Sequence, residues 1–269
     1  MQQADRCRGT WRVRKRSIFI SGGAGGIGLV TAKLFLSKGW RVGIGDIKPD
    51  ALAAAAAQAH VETFVHDVRD YDSWTKALDA FCAPDDGALD VLVNNAGVLI
   101  FGWLDDQDPA SFAPLIDINV KGVVYGSHAG VKHLAKTKDS TLVNLGSSAS
   151  LQSPPIQALY AATKFAVRGL SEALLVAYRR HGVRVSLIEP YCVDTPMLDH
   201  DTPDGINYRA AVSGGEILDP QDVADRILES TQSDDFHFPV GELPRELIDE
   251  IRPRFEADKA KWLQVFGIA

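Results

Sequence analysis

A glycine-rich turn between a short apolar run and a helical pattern restricts the fold of this chain more than any other feature. Residues 17–20 (SIFI) have the length of a buried strand, residues 21–28 (SGGAGGIG) form the turn, and residues 29–37 have helical spacing. Glycines permit the tight turn and let backbone N–H groups approach a pyrophosphate, which the positive end of a helix also attracts. Strand, turn and helix together predict a dinucleotide-binding unit, although such a turn alone is weak evidence.

Strands and helices alternate regularly after this unit. Segments with helical spacing lie between the predicted strands. Asp70 is a candidate N-cap for a helix that reaches Cys82, and Pro109 suits the first turn of a helix that reaches about Lys136. The alternation predicts an α/β fold, with a doubly wound, mostly parallel sheet of about seven strands and helices on both faces. Further strands are predicted at residues 40–45, 61–65, 89–93, 140–145, 183–188 and 236–240.

Polar or glycine-rich segments follow several of these strands. Asp46 ends the second strand, where a carboxylate can accept hydrogen bonds from an adenosine ribose and would repel a 2′-phosphate. Asp46 therefore favours NAD over NADP, although the nearby Lys48 weakens that preference. The alternative is that Asp46 is an ordinary acidic residue at a helix N-terminus and has no role in binding a cofactor. Residues 94–97 (NNAG) and 146–148 (GSS) follow the fourth and fifth strands, and a plain turn is the alternative for NNAG. Because ligands bind at the carboxyl ends of parallel strands, these segments predict one crevice.

Tyr160 and Lys164 are one turn apart in a helical pattern that reaches about Arg180. An ammonium beside a phenol favours the phenolate and lowers its pKa below about 10. A tyrosine tuned in this way can exchange a proton with an alcohol or a carbonyl near neutral pH. A half-buried tyrosine above a solvated lysine is the alternative explanation of the pair taken alone.

Composition and charge restrict the classes of function. The 269 residues are 46% hydrophobic with a formal net charge of -7, which suits one substantial domain and argues against nucleic acid as a partner. The cysteines, at 7, 82 and 192, form no CxxC pair, which predicts reduced thiols and a cytoplasmic location. No apolar run approaches the ~18 to 20 residues of a membrane-spanning helix, and no histidine spacing predicts a metal site.

Three segments depart from the regular alternation. The arginine-rich residues 1–16 predict a flexible basic arm before a single domain at 17–269. Residues 197–215 are rich in Asp, Gly and Pro, with a short helical pattern at 206–212, and fit a mobile substrate lid and functionless disorder equally well. Residues from 244 onward predict an amphipathic helix packed on the domain or on another subunit, which Pro253 should kink or divide.

With these motifs, the chain resembles the short-chain dehydrogenase/reductase family from about Ser17 to Met197. The resemblance rests on the glycine turn, residues 67–68 (DV), residues 94–97, Asn119, the serines of residues 146–148, and Tyr160 with Lys164. It implies a Rossmann-like sheet and NAD(P)-dependent interconversion of an alcohol and a ketone or aldehyde. It also implies a homodimer or homotetramer, built by pairing the helices around Asn119 and Tyr160.

The resemblance implies catalytic roles for four residues. Tyr160 would be the acid/base, and Lys164 would bind the nicotinamide ribose and lower the pKa of the tyrosine. Ser147 would hold the substrate oxygen, since the usual spacing to the tyrosine selects it, with Ser148 as the fallback. Asn119 would hold a water in a proton relay toward the lysine.

The resemblance also implies a set of cofactor contacts. Asp46 would hold the adenosine ribose, Asp67 and Val68 would flank adenine, and Thr195 would meet the carboxamide. NADP-dependent relatives often carry a basic residue where this chain has Gly25, so Gly25 also favours NAD. The predicted cofactor residues are Gly22, Gly23, Gly25, Gly26, Ile27, Gly28, Asp46, Asp67, Val68, Asn95, Ala96, Gly97, Tyr160, Lys164, Val193 and Thr195.

Two positions depart from the family pattern. Ser21 replaces the usual threonine and keeps a hydroxyl, whereas Tyr191 stands where the family often has glycine. The tyrosine would either enter the substrate pocket or change the backbone path near the nicotinamide. Further pocket-wall candidates are the apolar residues at 99, 100, 151 and 156.

The small-molecule substrate and the function class retain alternatives. Sugar, steroid, aliphatic alcohol and acyl-derived ketone are not separated by the sequence. A non-catalytic dinucleotide-sensing or scaffold protein on the same fold is the main alternative to an enzyme, but it would not need all four catalytic residues. A dehydratase or epimerase using the same tyrosine fits the motif spacing less well.

Overall fold

The described residues form a seven-stranded parallel sheet, so the predicted doubly wound architecture is confirmed. The computed structural model describes residues 14–199 and 216–268, and the separate residues 205, 207 and 209. The strand order is β3-β2-β1-β4-β5-β6-β7, and strand limits differ from those predicted by one or two residues. The strands are β1 (Ser17–Ser21), β2 (Arg41–Asp46), β3 (Glu62–Val65), β4 (Val91–Asn94), β5 (Thr141–Leu145), β6 (Arg184–Pro190) and β7 (His237–Val240).

Helices cover both faces of this sheet. The α-helices are α1 (Gly26–Ser37), α2 (Pro49–Gln58), α3 (Tyr71–Cys82), α4 (Phe112–Ile116), α5 (Gly122–Leu134), α6 (Ala158–Arg179), α7 (Pro220–Ser230) and α8 (Glu242–Phe266). Helices α4 and α5 are joined by a π-helical turn, Asp117–Lys121, and together correspond to the single long helix predicted after Pro109. Asp70 caps α3 as predicted, because its side chain accepts a hydrogen bond from the backbone N–H of Asp72.

The core has two layers because neighbouring strand residues point to opposite faces of the sheet. Ile18 and Ile20 pack in one cluster with the apolar residues of α1, α2 and α7. Phe19, between them, packs in the other cluster with Trp74 and the apolar residues of α3, α5 and α6. Both faces are therefore buried, which is why the strands have nearly continuous apolar runs rather than an alternating pattern.

The described part of the chain begins with residues that are held to the domain. Arg14 forms an ion pair with the buried carboxylate of Asp90 at 2.7 Å, and Arg16 lies over the ring of Trp40 at 4.1 Å. The predicted flexible arm therefore extends no further than residue 13, and residues 1–13 lie outside the described part. Most of the predicted lid, residues 200–215, is likewise outside it except for residues 205, 207 and 209.

The C-terminal helix differs from its prediction at Pro253. Helix α8 continues through this proline and is not divided. Ile248 is fully buried and Phe255 packs on the core, whereas Trp262 and Phe266 are 47% and 65% exposed. Within residues 14–199 and 216–268, no helix is both long and apolar enough to cross a membrane.

Candidate active site

A cleft of about 620 Å³ lies at the carboxyl ends of the strands, where the sequence predicted a crevice. A larger groove, of about 1150 Å³, separates α6 from α8 but contains none of the predicted site residues. The smaller cleft is therefore the candidate site. Its walls include fifteen of the predicted residues: Gly22, Gly25, Gly26, Ile27, Asp46, Asp67, Val68, Asn95, Ala96, Gly97, Ser147, Tyr160, Lys164, Val193 and Thr195.

The glycine turn leaves the first turn of α1 open to this cleft. Gly22 and Gly26 have φ angles of 63° and 49°, in the left-handed region that favours glycine. A Cβ on Gly25 would meet nothing within 4 Å, and no side chain caps the N-terminus of α1 there. Uncapped backbone N–H groups at a helix N-terminus bind anions, so this arrangement fits the pyrophosphate of a dinucleotide.

Gly23 and Gly28 are predicted cofactor residues that do not line the cleft. A Cβ on Gly23 would lie 2.6 Å from the Cβ of Ile44, and one on Gly28 would lie 2.5 Å from the carbonyl oxygen of Gly22. Gly23 is required because the Ile44 side chain packs against it, and Gly28 because the Gly22 backbone and the Asn95 side chain do so. Direct cofactor contact at these two positions stays a prediction.

Asn95 and Ser21 hold the turn to the end of β4. The side-chain amide of Asn95 donates to the carbonyl oxygens of Ser21 and Gly22, both at 2.9 Å. The Ser21 hydroxyl accepts the backbone N–H groups of Asn95 and Ala96 at 3.1 and 3.2 Å. The serine thus supplies the hydroxyl that the family's usual threonine would carry, and the asparagine amide is engaged by the protein itself.

One end of the cleft carries the acidic residues predicted to bind the adenosine. The carboxylate of Asp46 accepts the backbone N–H groups of Ala24 at 3.4 Å and Lys48 at 3.1 Å, which fixes it at the carboxyl end of β2. Asp67 is bound by the guanidinium of Arg69 at 2.7 Å, and this pairing holds the pKa of the carboxyl below its ordinary value. Sequence reasoning did not anticipate that Asp67 is neutralised in this way.

Tyr160 faces Ser147 across the middle of the cleft. The phenol of Tyr160 is hydrogen-bonded to the side chain of Ser147, which selects this serine over Ser148 as its partner. Burial raises the pKa of Tyr160 to about 12, and the bond to Ser147 opposes that shift only in part. The expected lowering of the tyrosine pKa is thus wrong for the ligand-free protein, because desolvation outweighs the hydrogen bond with Ser147.

Lys164 is buried beside the tyrosine. Its Nζ donates to the carbonyl oxygen of Leu145 at 2.9 Å and lies 5.6 Å from the centre of the Tyr160 ring. Burial lowers the pKa of Lys164 to about 8, so the side chain is mostly protonated at pH 7. The alternative of a solvated lysine is excluded, since the residue is only 7% exposed.

Asn119 lies in the π-helical turn and does not line the cleft. Its Oδ1 accepts the backbone N–H of Val98 at 2.9 Å, and its Nδ2 donates to the carbonyl oxygen of Val98 at 2.8 Å and to Thr163 at 3.2 Å. The side chain therefore ties the loop after β4 to α6, and its part in a water relay stays a prediction. Thr163, which completes this link, was not identified from the sequence.

The other end of the cleft has apolar walls. Leu99 and Tyr191 line it as predicted, together with Cys192, Met197 and Leu198, which sequence reasoning did not assign to the wall. Ile156 packs against this wall from behind. The candidates at positions 100 and 151 are not among its lining residues.

Tyr191 enters the wall without disturbing the sheet. Its backbone N–H donates to the carbonyl oxygen of Val240 at 3.0 Å, continuing the pairing of β6 with β7. Tyr191 was expected either to enter the substrate pocket or to change the backbone path, and the structure supports its entry into the pocket. A changed backbone path is not needed.

Comparisons with known proteins agree with this geometry. Residues 16–205 match the profile of the family described as short chain dehydrogenase. A 3-alpha-(or 20-beta)-hydroxysteroid dehydrogenase from Mycobacterium bovis is 34% identical over 211 residues, 78% of this chain and 79% of the relative. A trans-4-hydroxycyclohexanecarboxylate dehydrogenase from Sinomonas cyclohexanicum is 34% identical over 197 residues, 69% of this chain and 75% of the relative.

The solved structures include a short chain dehydrogenase/reductase from Burkholderia phymatum in complex with NAD. It superposes with a TM-score of 0.77 at 26% identity, covering 92% of this chain and 95% of that one. The family profile spans more than half of the chain, from before β1 to beyond β6. The chain therefore belongs to the short-chain dehydrogenase/reductase family, as its motifs predicted.

Proposed function

We propose that this protein is an NAD-dependent oxidoreductase that interconverts a secondary alcohol and a ketone. The observation that carries the proposal is the Ser147–Tyr160 hydrogen bond beside a buried Lys164, in a cleft that also contains the open N-terminus of α1. Both relatives described above are named as dehydrogenases of hydroxylated compounds, which supports the same reaction class here.

Ser147 and Tyr160 would act together on the substrate oxygen. A ketone or alcohol oxygen within reach of both hydroxyls would be oriented by the serine and would exchange its proton with the phenol. Because the pKa of Tyr160 is about 12 without ligand, the phenol is protonated and ready to donate to a ketone. Bound nicotinamide would supply or accept the hydride.

In the oxidation direction, Tyr160 must instead accept a proton. The positive charges of Lys164 and of oxidised nicotinamide would both favour the phenolate and offset its burial. Lys164 is held in place by the carbonyl oxygen of Leu145, and its remaining donors would meet the nicotinamide ribose. Asn119 is then a positioning residue, because both ends of its amide hold Val98.

The preference for NAD rests on two positions. The Asp46 carboxylate is fixed by two backbone N–H groups and would accept hydrogen bonds from the ribose hydroxyls of NAD. A 2′-phosphate would face this charge, and Gly25 offers no basic side chain to bind it. Lys48 also lines the cleft, and its positive charge would offset part of this repulsion.

A homo-oligomer is part of the proposal. Ile116 on α4, Val124 on α5 and Phe165 on α6 are each about two-fifths exposed, and such apolar side chains favour helix pairing between subunits. The resemblance implies pairing through the same helices. Sedimentation of the protein would give the number of subunits.

The proposal is tested by turnover and by two tyrosine variants. Mixing the protein with NAD and a panel of cyclic and acyclic secondary alcohols should produce NADH. Tyr160→Phe should abolish that turnover, whereas Tyr178→Phe, on the same helix but outside the cleft, should retain it. NAD binding without turnover of any alcohol or ketone would instead support the alternative of a dinucleotide-sensing protein.

A further inference from the structure

The charges that line the cleft are concentrated away from its substrate end. Lys48 and Arg69 follow β2 and β3, as does the acidic Asp67, and Asp46 is the last residue of β2. In the strand order, β2 is three strand intervals from β5, which is roughly 14 Å at the usual spacing between strands. A small substrate held by Ser147 and Tyr160, after β5, would not reach these side chains.

The other cation that lines the cleft is already engaged. Lys164 is buried, donates to Leu145, and lies beside the phenol of Tyr160. His66 also lines the cleft, but burial lowers its pKa to about 4, so it is uncharged at pH 7. Among the described lining residues, none supplies a free cation at the substrate end.

The segment from 200 to 215 adds no free lysine or arginine. Its sequence has no lysine, and its one arginine is Arg209. That guanidinium forms ion pairs with Asp194 and with Asp199, the latter at 2.8 Å. These three residues together carry one net negative charge beside the substrate end, which would repel an anionic substrate.

The substrate end is instead built from apolar side chains. Leu99, Cys192, Met197 and Leu198 line it. Phe101 and Ile156 pack behind Leu198 and make the wall continuous. A carboxylate or phosphate bound against this wall would lose its hydration without gaining a cationic partner among the described lining residues, which is costly.

Resting on the proposed function, we infer that the substrate is an uncharged alcohol or ketone with a largely apolar skeleton. Alcohols that carry a carboxylate or phosphate on that skeleton are excluded by the wall and by the charge of the Asp194–Arg209–Asp199 group. The inference concerns the charge of the substrate, so it can be tested separately from the proposed oxidation and reduction of an alcohol and a ketone.

A matched pair of substrates tests the inference. Methyl trans-4-hydroxycyclohexanecarboxylate and its free acid share ring, configuration and reactive carbon, and differ in charge. With NAD at pH 7, kcat/KM for the ester should exceed that for the acid by about a hundredfold or more. Equal values, or a preference for the acid, would overturn the inference and leave the oxidoreductase proposal standing. Turnover of no alcohol at all would overturn the proposed function, and the inference with it.

A charge introduced into the wall gives the second arm. Met197 is half-buried in the wall and unbranched, so Met197→Lys keeps the side-chain length and adds a cation. This variant should raise the acid-to-ester ratio of kcat/KM by about tenfold or more. Met197→Gln, with similar length and no charge, should leave the ratio unchanged. An equal shift in both variants would show that polarity or size, not charge, controls selection.

Discussion

The Nζ of Lys164 donates to the carbonyl oxygen of Leu145 at 2.9 Å, so the lysine of α6 is anchored to the carboxyl end of β5. Leu145 is followed directly by the loop that contains Ser147. One hydrogen bond thus links the backbone that positions the serine to the helix that carries Tyr160. It also explains how a lysine is retained in a buried position, where its charge is costly.

Burial of Lys164 should reduce stability in a pH-dependent manner. Its pKa falls from 10.5 to about 8 on folding, so below pH 8 the charged form is desolvated in the folded state, at a cost of at most about 3 kcal/mol. Between pH 8 and 10.5 the unfolded chain binds more protons, and stability rises with pH. Lys164→Met should therefore have a higher free energy of unfolding than the wild type at pH 7, and the difference between the two proteins should be smaller at pH 10. Urea unfolding of both proteins at both pH values measures this difference, and a difference that does not change with pH would contradict the prediction.

Cofactor binding should lower the pKa of Tyr160. Without ligand its pKa is about 12, above the ordinary 10.0, so Tyr160 contributes no phenolate absorbance up to about pH 10. Oxidised nicotinamide adds a positive charge nearby, and NAD should shift the titration to lower pH. The difference in absorbance between the wild type and Tyr160→Phe isolates this group from the other tyrosines. NADH, which lacks the charge, should produce a smaller shift, and equal shifts would argue against a charge effect.

The fold was predictable because its signals are local and repeated. Buried parallel strands require apolar runs, and the turns between them leave Gly, Asn and Asp in fixed places, so sequence alone located every strand of the described sheet. The continuation of α8 through Pro253 was not predictable from the sequence. Most of α8 after Ile248 is exposed, and whether a proline divides a helix depends on tertiary contacts that sequence does not reveal.

The sequence predicted which residues line one cleft better than it predicted the environment of each of them. The motifs located Tyr160, Lys164 and Ser147, but the direction of the tyrosine pKa depends on burial, which requires the packed structure. The link between Asn119 and Val98 was not predictable for the same reason, since Val98 lies 21 residues earlier and is brought near only by folding. Sequence spacing alone indicates which groups meet, not which of their atoms remain free.

Asp46 should control the choice between NAD and NADP. Removing its charge in Asp46→Ala takes away an acceptor for the ribose and the repulsion of a 2′-phosphate. The ratio of kcat/KM for NAD over NADP should fall by about tenfold or more. Asp50→Ala, which removes an exposed acid in the first turn of α2, is the matched control and should leave the ratio unchanged. A ratio unaffected in Asp46→Ala would show that other groups set the preference.

Alanine substitution at two glycines of the turn should affect the stability of the protein to different degrees. A Cβ on Gly28 would lie 2.5 Å from the Gly22 carbonyl oxygen and 2.8 Å from Nδ2 of Asn95, so Gly28→Ala should destabilise the protein by about 2 kcal/mol or more. Gly25 has open space at its Cβ and an extended φ of -162°, so Gly25→Ala should keep the stability within about 0.5 kcal/mol. Urea unfolding measures both. Cofactor affinity should fall for Gly25→Ala, because its added methyl group projects into the cleft.

Ser147 and Ser148 provide the sharpest test of the catalytic arrangement. Both line the cleft and are adjacent in the chain, but only Ser147 is hydrogen-bonded to Tyr160 within the described structure. Ser147→Ala should lower kcat by about a hundredfold, since the substrate oxygen loses one of its two hydroxyl partners. Ser148→Ala should change kcat less than about threefold. The Ser147 hydroxyl also accepts the backbone N–H of Ala149 at 3.1 Å, so thermal unfolding of both variants must be compared with the wild type. A loss of kcat in Ser148→Ala alone, with unchanged stability, would reassign the substrate contact to that serine.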